Sequence, residues 1–271
     1  MVLEKLVTPK TAEEHAAMVF LAGGIIASVS ALVSYFVFVN SSFEQQIGIF
    51  LCFFVTITIL PFMINIGRYD EAKEENLLKA RKKINIFLRH KTIIKVYIAF
   101  FLGVIISLYL LYLILPENVV NKIFGAQLNE IYRIRSKIVG DFILTNAFSK
   151  TFSSIIKNNV QVLILSFLFS LIFGSGGIYI LTWNSSVLAA AMGATFKSHG
   201  AIYTLQYFPH GSLEFLAYFI GAISGGIISV AITRRKHKYF WSVVKDSMEL
   251  LLFSLIILMV AAFIETLAIF I

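Results

Sequence analysis

The sequence predicts an all-α fold: a polytopic transmembrane helical bundle of seven spans, two N-terminal and five in a core, with amphipathic helices at the membrane interface. Three observations predict it. Of 271 residues, 58% are hydrophobic and only 14% charged, with a mean hydropathy of +0.85, whereas soluble domains are about a quarter charged. The apolar residues gather into runs of about 20, the length that carries a helix across roughly 30 Å of hydrocarbon. All 23 Lys and Arg lie between those runs, so the net charge of +8 is a topology signal. It is not the basic, aromatic-studded face of a nucleic-acid binder, and no nucleic acid is expected as a partner.

The first 15 residues, MVLEKLVTPKTAEEH, mix acids with bases and precede a full-length apolar run that has no small-residue cleavage site. That pattern is not a signal peptide. Five spans are plain: residues 16–39, 47–66, 96–115, 213–232 and 250–271. Each is expected to be helical, because backbone facing lipid must satisfy its own hydrogen bonds. Cys52, the single cysteine, lies inside the second run and reads as a small buried hydrophobe; one cysteine excludes an intramolecular disulfide.

Residues 160–196 are too long for one span and are interrupted by Gly174, Gly176 and Gly177 and by the polar run Thr182, Trp183, Asn184, Ser185, Ser186. Two readings fit: one span plus a re-entrant segment, or two short spans joined near Thr182. Loop charge arbitrates, because retained loops concentrate Lys and Arg. Residues 67–95 carry nine of them, residues 40–46 none, and residues 233–249 five. Both basic segments therefore belong on the cytoplasmic side, which requires an even number of crossings between them and hence two within 160–196. The result is seven spans of a cell-membrane protein, with the N-terminus inside and the C-terminus outside, and 16 Lys and Arg inside against 7 outside. The chain divides into an N-terminal two-helix hairpin (1–66), a basic helical linker (67–95) and a five-span core (96–271).

Residues 116–159 fall outside in this topology despite six bases. Phe124, Leu128, Ile131, Ile134, Ile138 and Phe142 recur at three- and four-residue steps, with Glu130, Arg133, Lys137 and Asp141 turned away. A second stripe, Phe148, Phe152, Ile155 and Ile156, follows. Such stripes suit helices lying in the interface or across the tops of the spans. Residues 69–90 read as a solvated helix with acids early and bases late, matching the helix macrodipole and allowing a Glu75–Lys79 pair.

The residues that carry chemistry are few. Gly221 and Gly225 form a small-xxx-small pair, read as internal helix packing with a homodimer face as the sharper alternative. Gly174, Gly176, Gly177 and Asn184 mark a broken helix, tolerated at membrane depth only where protein or a wet cavity covers the backbone. Asn158 and Asn159 enter that region. His210 and Glu214 share a helix face at i,i+4, and with His199 they make a weak zinc pattern; a cap at His210 paired with Glu214 in the first turn explains them more simply. Glu265 sits within the last run, six residues from the chain end, where snorkelling to the interface is the favoured reading. No nucleophile elbow, P-loop or dinucleotide fingerprint occurs, and no catalytic residue, cofactor or metal is assigned.

The run NNVQVLILSFLFSLIFGSGGIYILTWNSSVLAAAMG, followed by FPHGSLEFLAYFIGAISGG, resembles the core of the stage II sporulation protein M family. The resemblance covers about residues 96–271. It implies a five-span core, matching the last five spans, with the two N-terminal spans additional as in archaeal versions. In sporulating bacteria the family member is a membrane scaffold that recruits peptidoglycan-degrading partners. The expectation is thus a non-catalytic scaffold or assembly factor, with membrane lipids and other membrane or cytoplasmic proteins, met through 67–95, as partners. The alternative is a transporter of a small solute or lipid, with a midplane cavity at residues 174–193.

Overall fold

The computed structural model describes residues 8–79, 86–145, 148–233 and 240–270. They form α1 (Pro9–Glu14), α2 (Ala16–Phe38), a 3-10 turn (Glu44–Gln46), α3 (Ile47–Lys79), α4 (Ile86–Arg89), α5 (Lys91–Ile114), α6 (Glu117–Ile123), α7 (Gly125–Thr145), α8 (Phe148–Phe173), α9 (Gly177–His199), α10 (Ala201–Thr204), α11 (Tyr207–Thr233) and α12 (Phe240–Phe270). No strand occurs among the described residues.

Six of these helices are long and apolar enough to cross a membrane, and the protein is a multi-pass membrane protein. The seventh expected crossing is α9, which has 23 residues, as many as α2, but is too polar to qualify by composition. Its surroundings supply the reason. From Gly177 to Thr195 no residue of α9 is exposed, because α3, α5, α7, α8 and α11 pack around it. A stretch of helix enclosed in this way can carry Thr182, Asn184, Ser185 and Ser186.

The interruption in 160–196 therefore lies elsewhere than expected. The chain turns at Gly174, whose φ of +74° suits glycine, and Thr182 to Ser186 sit within α9. Neither the re-entrant segment nor the pair of short spans joined near Thr182 occurs; two full-length helices meet at Gly174 to Gly176.

Helix crossings rest on missing side chains. A Cβ on Gly225 would strike the Phe167 carbonyl, and one on Gly221 would strike Leu163, so both glycines face α8 inside the bundle. Gly23 and Gly103 do the same at the α2–α5 crossing, against Phe100 and Phe20. Close approach of this kind gives the dispersion contact that holds helices together where lipid removes the hydrophobic drive.

The end of the bundle carrying residues 67–95 is tied together by charge. Glu13 accepts from Lys73 at 2.5 Å, from Thr92 at 3.0 Å and from Tyr69 at 3.1 Å, and the Lys73 ammonium, ahead of the other contacts, holds its carboxyl below the ordinary range. Asp70 Oδ2 lies 2.6 Å from His90 Nδ1, with both side chains almost fully buried. Arg89 pairs with Asp246, which places the first basic segment and the start of α12 at one end. The helices α5, α8, α9 and α11 lie between them in sequence, an even number, as the charge argument required. The helix expected over 69–90 is the continuation of α3; the Glu75–Lys79 side chains, and Arg234, Arg235, Lys236 and Lys238, lie outside what the structure describes.

At the far end α6 and α7 turn their apolar stripe inward. Phe124 is fully buried, Leu128 and Ile131 pack on the core, and Glu130 and Arg133 pair on the outer face at 2.6 Å. The rest of the stripe, Ile138 and Phe142, lies outside the described side chains. The second stripe is the first part of α8 itself: Ile155 is buried, and Phe148 meets Phe263 and Phe270 of α12.

Candidate functional site

The polar residues singled out in the sequence divide into two places. Gly174 borders a small cavity of about 30 Å³ at the basic end, with Gly67, Tyr97, Ser175 and Gly226. Gly177 packs on Ser170, whose Oγ accepts its N–H at 3.2 Å. The cluster Gly174, Gly176, Gly177 is therefore a turn and a packing contact, and it does not join the asparagines.

Asn158, Asn159, Asn184, His210 and Glu214 do come together. They line a partly open cavity of about 200 Å³ between α7, α8, α9, α11 and α12, with Arg135, Tyr207, Tyr218 and Glu265. The helix directions explain the meeting. α8 and α11 run parallel, so that Asn159 Nδ2 donates to Glu214 Oε1 at 2.6 Å, while α12 returns antiparallel and brings Glu265 to hydrogen bond with Glu214. Asn158 Nδ2 donates to Asn159 Oδ1 at 3.3 Å, extending the chain of contacts to four side chains. Asn184 Nδ2 is bound to its own helix at the Ile180 carbonyl, 2.7 Å away.

Two expectations are corrected here. Glu265 does not reach for the interface: it turns into the bundle against Glu214. His210 is neither a cap nor paired with Glu214; it lies within α11, which starts at Tyr207, and lines the cavity beside the Tyr207 ring. His199 is exposed at the end of α9, in contact with Ser198 at 2.7 Å, so the three groups of the weak zinc pattern are not gathered. Among the described residues no three His, Cys, Asp or Glu side chains stand close enough for a metal ion.

Two carboxyl groups in hydrogen-bond contact need one of them to carry the proton that is donated. Neither has a cationic partner within ion-pair distance among the described residues. Arg135, on the exposed edge of the cavity, gives its Nη2 to the Tyr207 hydroxyl at 2.7 Å, and Thr195 Oγ1 meets the same hydroxyl at 2.9 Å. Tyr218, only 3% exposed, lies one turn beyond Glu214, and its hydroxyl has no hydrogen bond among the described residues. The cavity thus presents acceptors and an unused hydroxyl inside and a guanidinium at its edge.

Comparison with known proteins places the chain. The pattern described as Stage II sporulation protein M matches residues 16–268. The chain belongs to the stage II sporulation protein M family. The match begins at the first residue of α2, so the family pattern takes in the two N-terminal spans, which the resemblance had set apart as additional, together with residues 96–268. An uncharacterized protein of Methanocaldococcus jannaschii is 28% identical over 151 residues, which cover 53% of this chain and 84% of that one. No solved structure matches this family member.

Sequence reasoning missed Arg135, Tyr218 and Gln127. Tyr218 follows Glu214 at i,i+4 and was legible as a neighbour on the same helix face. Gln127 was not: it is fully buried and donates to Ser186 Oγ and the Gly48 carbonyl, both at 3.0 Å, beside Cys52, whose Sγ lies 3.4 Å from the same Ser186. Its place on an amphipathic helix gave no sign that it points inward.

Proposed function

We propose that this chain is a non-catalytic, multi-pass protein of the cell membrane that binds a small solute or lipid in the cavity beside Glu214 and carries it between that cavity and the outer side. One observation carries the reading: two carboxyl groups face each other in a partly open cavity, with no cation beside them among the described residues. A purely structural polar cluster in a membrane bundle satisfies its members within itself; this one keeps unused hydrogen-bonding capacity turned toward open space. The excess of Lys and Arg in residues 67–95 and 233–249 supports a cytoplasmic side for those segments, and with it a cavity in the outer half and a C-terminus outside.

A second reading, a scaffold that presents residues 67–95 to a cytoplasmic partner, draws support from the ion pairs that fix that segment to the bundle. The two separate in a proteoliposome flux assay. A carrier loses flux on Glu214→Ala and His210→Ala at unchanged insertion, whereas leakage insensitive to both substitutions sinks the carrier reading. The orientation is tested by thiol labelling of His199→Cys: reaction from the outside is expected, and reaction from the cytoplasmic side alone refutes it.

A further inference from the structure

The polar cavity has a neighbour. A lateral cleft of about 350 Å³ lies between α5, α9 and α11, floored by Ile98, Leu102, Ile106, Met192 and Leu216. Its lining is almost wholly apolar, and Leu102, Ile106 and Phe208 at its border are exposed, so in a bilayer it faces hydrocarbon. The cleft and the polar cavity share four lining residues, Leu188, Tyr207, Gly211 and Phe215. Tyr207, Gly211 and Phe215 are successive turns of α11, and the middle one has no side chain. A Cβ built on Gly211 meets nothing within 4 Å, so the shared wall is open at its centre.

We propose that the two cavities form one site for a membrane amphiphile: its chain lies in the lateral cleft, and a zwitterionic head group of phosphate and primary amine reaches past Gly211 into the polar cavity. The inference rests on the reading of that cavity as a binding site and names its ligand class. Each part answers to a feature present. An ammonium is the complement of the Glu214–Glu265 pair, and it supplies the charge-assisted donors that no described residue gives them. The phosphate falls to Arg135 at the cavity edge, in reach of a planar fork suited to it. The Tyr218 hydroxyl, which lines the cavity and has no hydrogen bond among the described residues, gains one. The cavity, of about 200 Å³ and partly open, has room for a small head group. The chain is expected to leave sideways into the bilayer, because the cleft is continuous with the lipid-facing surface of α5.

The test uses the full chain in detergent micelles, with thermal unfolding as the readout and three probes: dihexanoyl phosphatidylethanolamine, dihexanoyl phosphatidylglycerol, which lacks the amine, and O-phosphoethanolamine, which lacks the chains. The ethanolamine lipid alone is expected to raise the unfolding midpoint in a saturable way. Glu214→Gln and Glu265→Gln weaken its apparent affinity about tenfold each, the loss of one charge-assisted contact. Gly211→Leu abolishes the shift while leaving the lipid-free midpoint in place, since the added Cβ meets nothing within 4 Å and leucine favours helix. Equal shifts from both lipids overturn the inference, as does an unchanged ethanolamine-lipid shift in Gly211→Leu. A shift from O-phosphoethanolamine equal to that from the ethanolamine lipid also overturns it, but leaves the solute-cavity reading standing. The absence of a shift from all three overturns it too, and flux sensitive to Glu214→Ala would then show that the carrier reading survives on its own.

Discussion

At the basic end of the bundle the carboxylates of Glu13, Asp70 and Asp246 each meet a base, Lys73, His90 and Arg89 respectively. At the far end Glu214 and Glu265 meet each other and an asparagine. Both places are polar, and α12 reaches both. The difference lies in what each arrangement does to the folded state. Complementary pairs hold α1, α3, α5 and α12 together, whereas a carboxyl pair without a cation beside it is the arrangement that the proposed ligand would complement. Polarity in a membrane protein is thus read by its partners rather than by its amount.

That contrast can be broken by substitution. The largest effect is expected for Asp70→Leu, which removes the 2.6 Å contact with the buried His90 ring; a loss of about 3 kcal/mol, the upper end for a hydrogen bond to a charged group, is to be measured by equilibrium unfolding in micelles. Arg89→Met should remove about 1–2 kcal/mol by the same measurement, because Asp246 is only partly buried. Glu265→Gln should act with the opposite sign and stabilise by about 0.5–1 kcal/mol, since an amide donor replaces one member of the carboxyl pair. A destabilisation by Glu265→Gln as large as that by Asp70→Leu would abolish the distinction between the two ends.

The smallest effect concerns α1. Lys73 holds the Glu13 carboxyl below its ordinary range, so the tether contributes stability that is fully present above the ordinary carboxylate range. It is lost as pH falls through the lowered folded value. Glu13→Gln should cost less than about 1 kcal/mol at neutral pH, as expected of a partly exposed ion pair, and should flatten the acid limb of the unfolding profile; an unchanged acid limb would remove Glu13 from the account.

Much of the fold was legible from the apolar runs and the charge between them. The even crossing count, argued from residues 67–95 and 233–249, meets its counterpart in the Arg89–Asp246 pair. The break in 160–196 was located wrongly for a physical reason: sequence cannot distinguish a polar run that interrupts a helix from one that faces other helices, and Thr182 to Ser186 do the latter because five helices pack around that stretch of α9. Asn159 and Glu214 were found together because both enter spans at similar depth. Glu265 was misplaced because distance from the chain end fixes depth but not rotation about the helix axis, and only the packing of α12 on α11 and α8 turns it inward. Gly174 was grouped with Asn184 by proximity in sequence, and one helical rise of α9 carries them apart.

The account turns on the claim that the far-end carboxyl pair serves a ligand and the basic-end pairs serve the fold. The most direct test compares Glu214→Gln, Glu265→Gln and Asp70→Leu side by side, recording the unfolding midpoint with and without the ethanolamine lipid. The account predicts that the two cavity variants keep or raise the lipid-free midpoint and need about tenfold more lipid for the same ligand-induced rise, while Asp70→Leu lowers the midpoint and keeps the rise at the original lipid concentration. Cavity variants that lower the lipid-free midpoint as much as Asp70→Leu, with the ligand-induced rise intact, would contradict it.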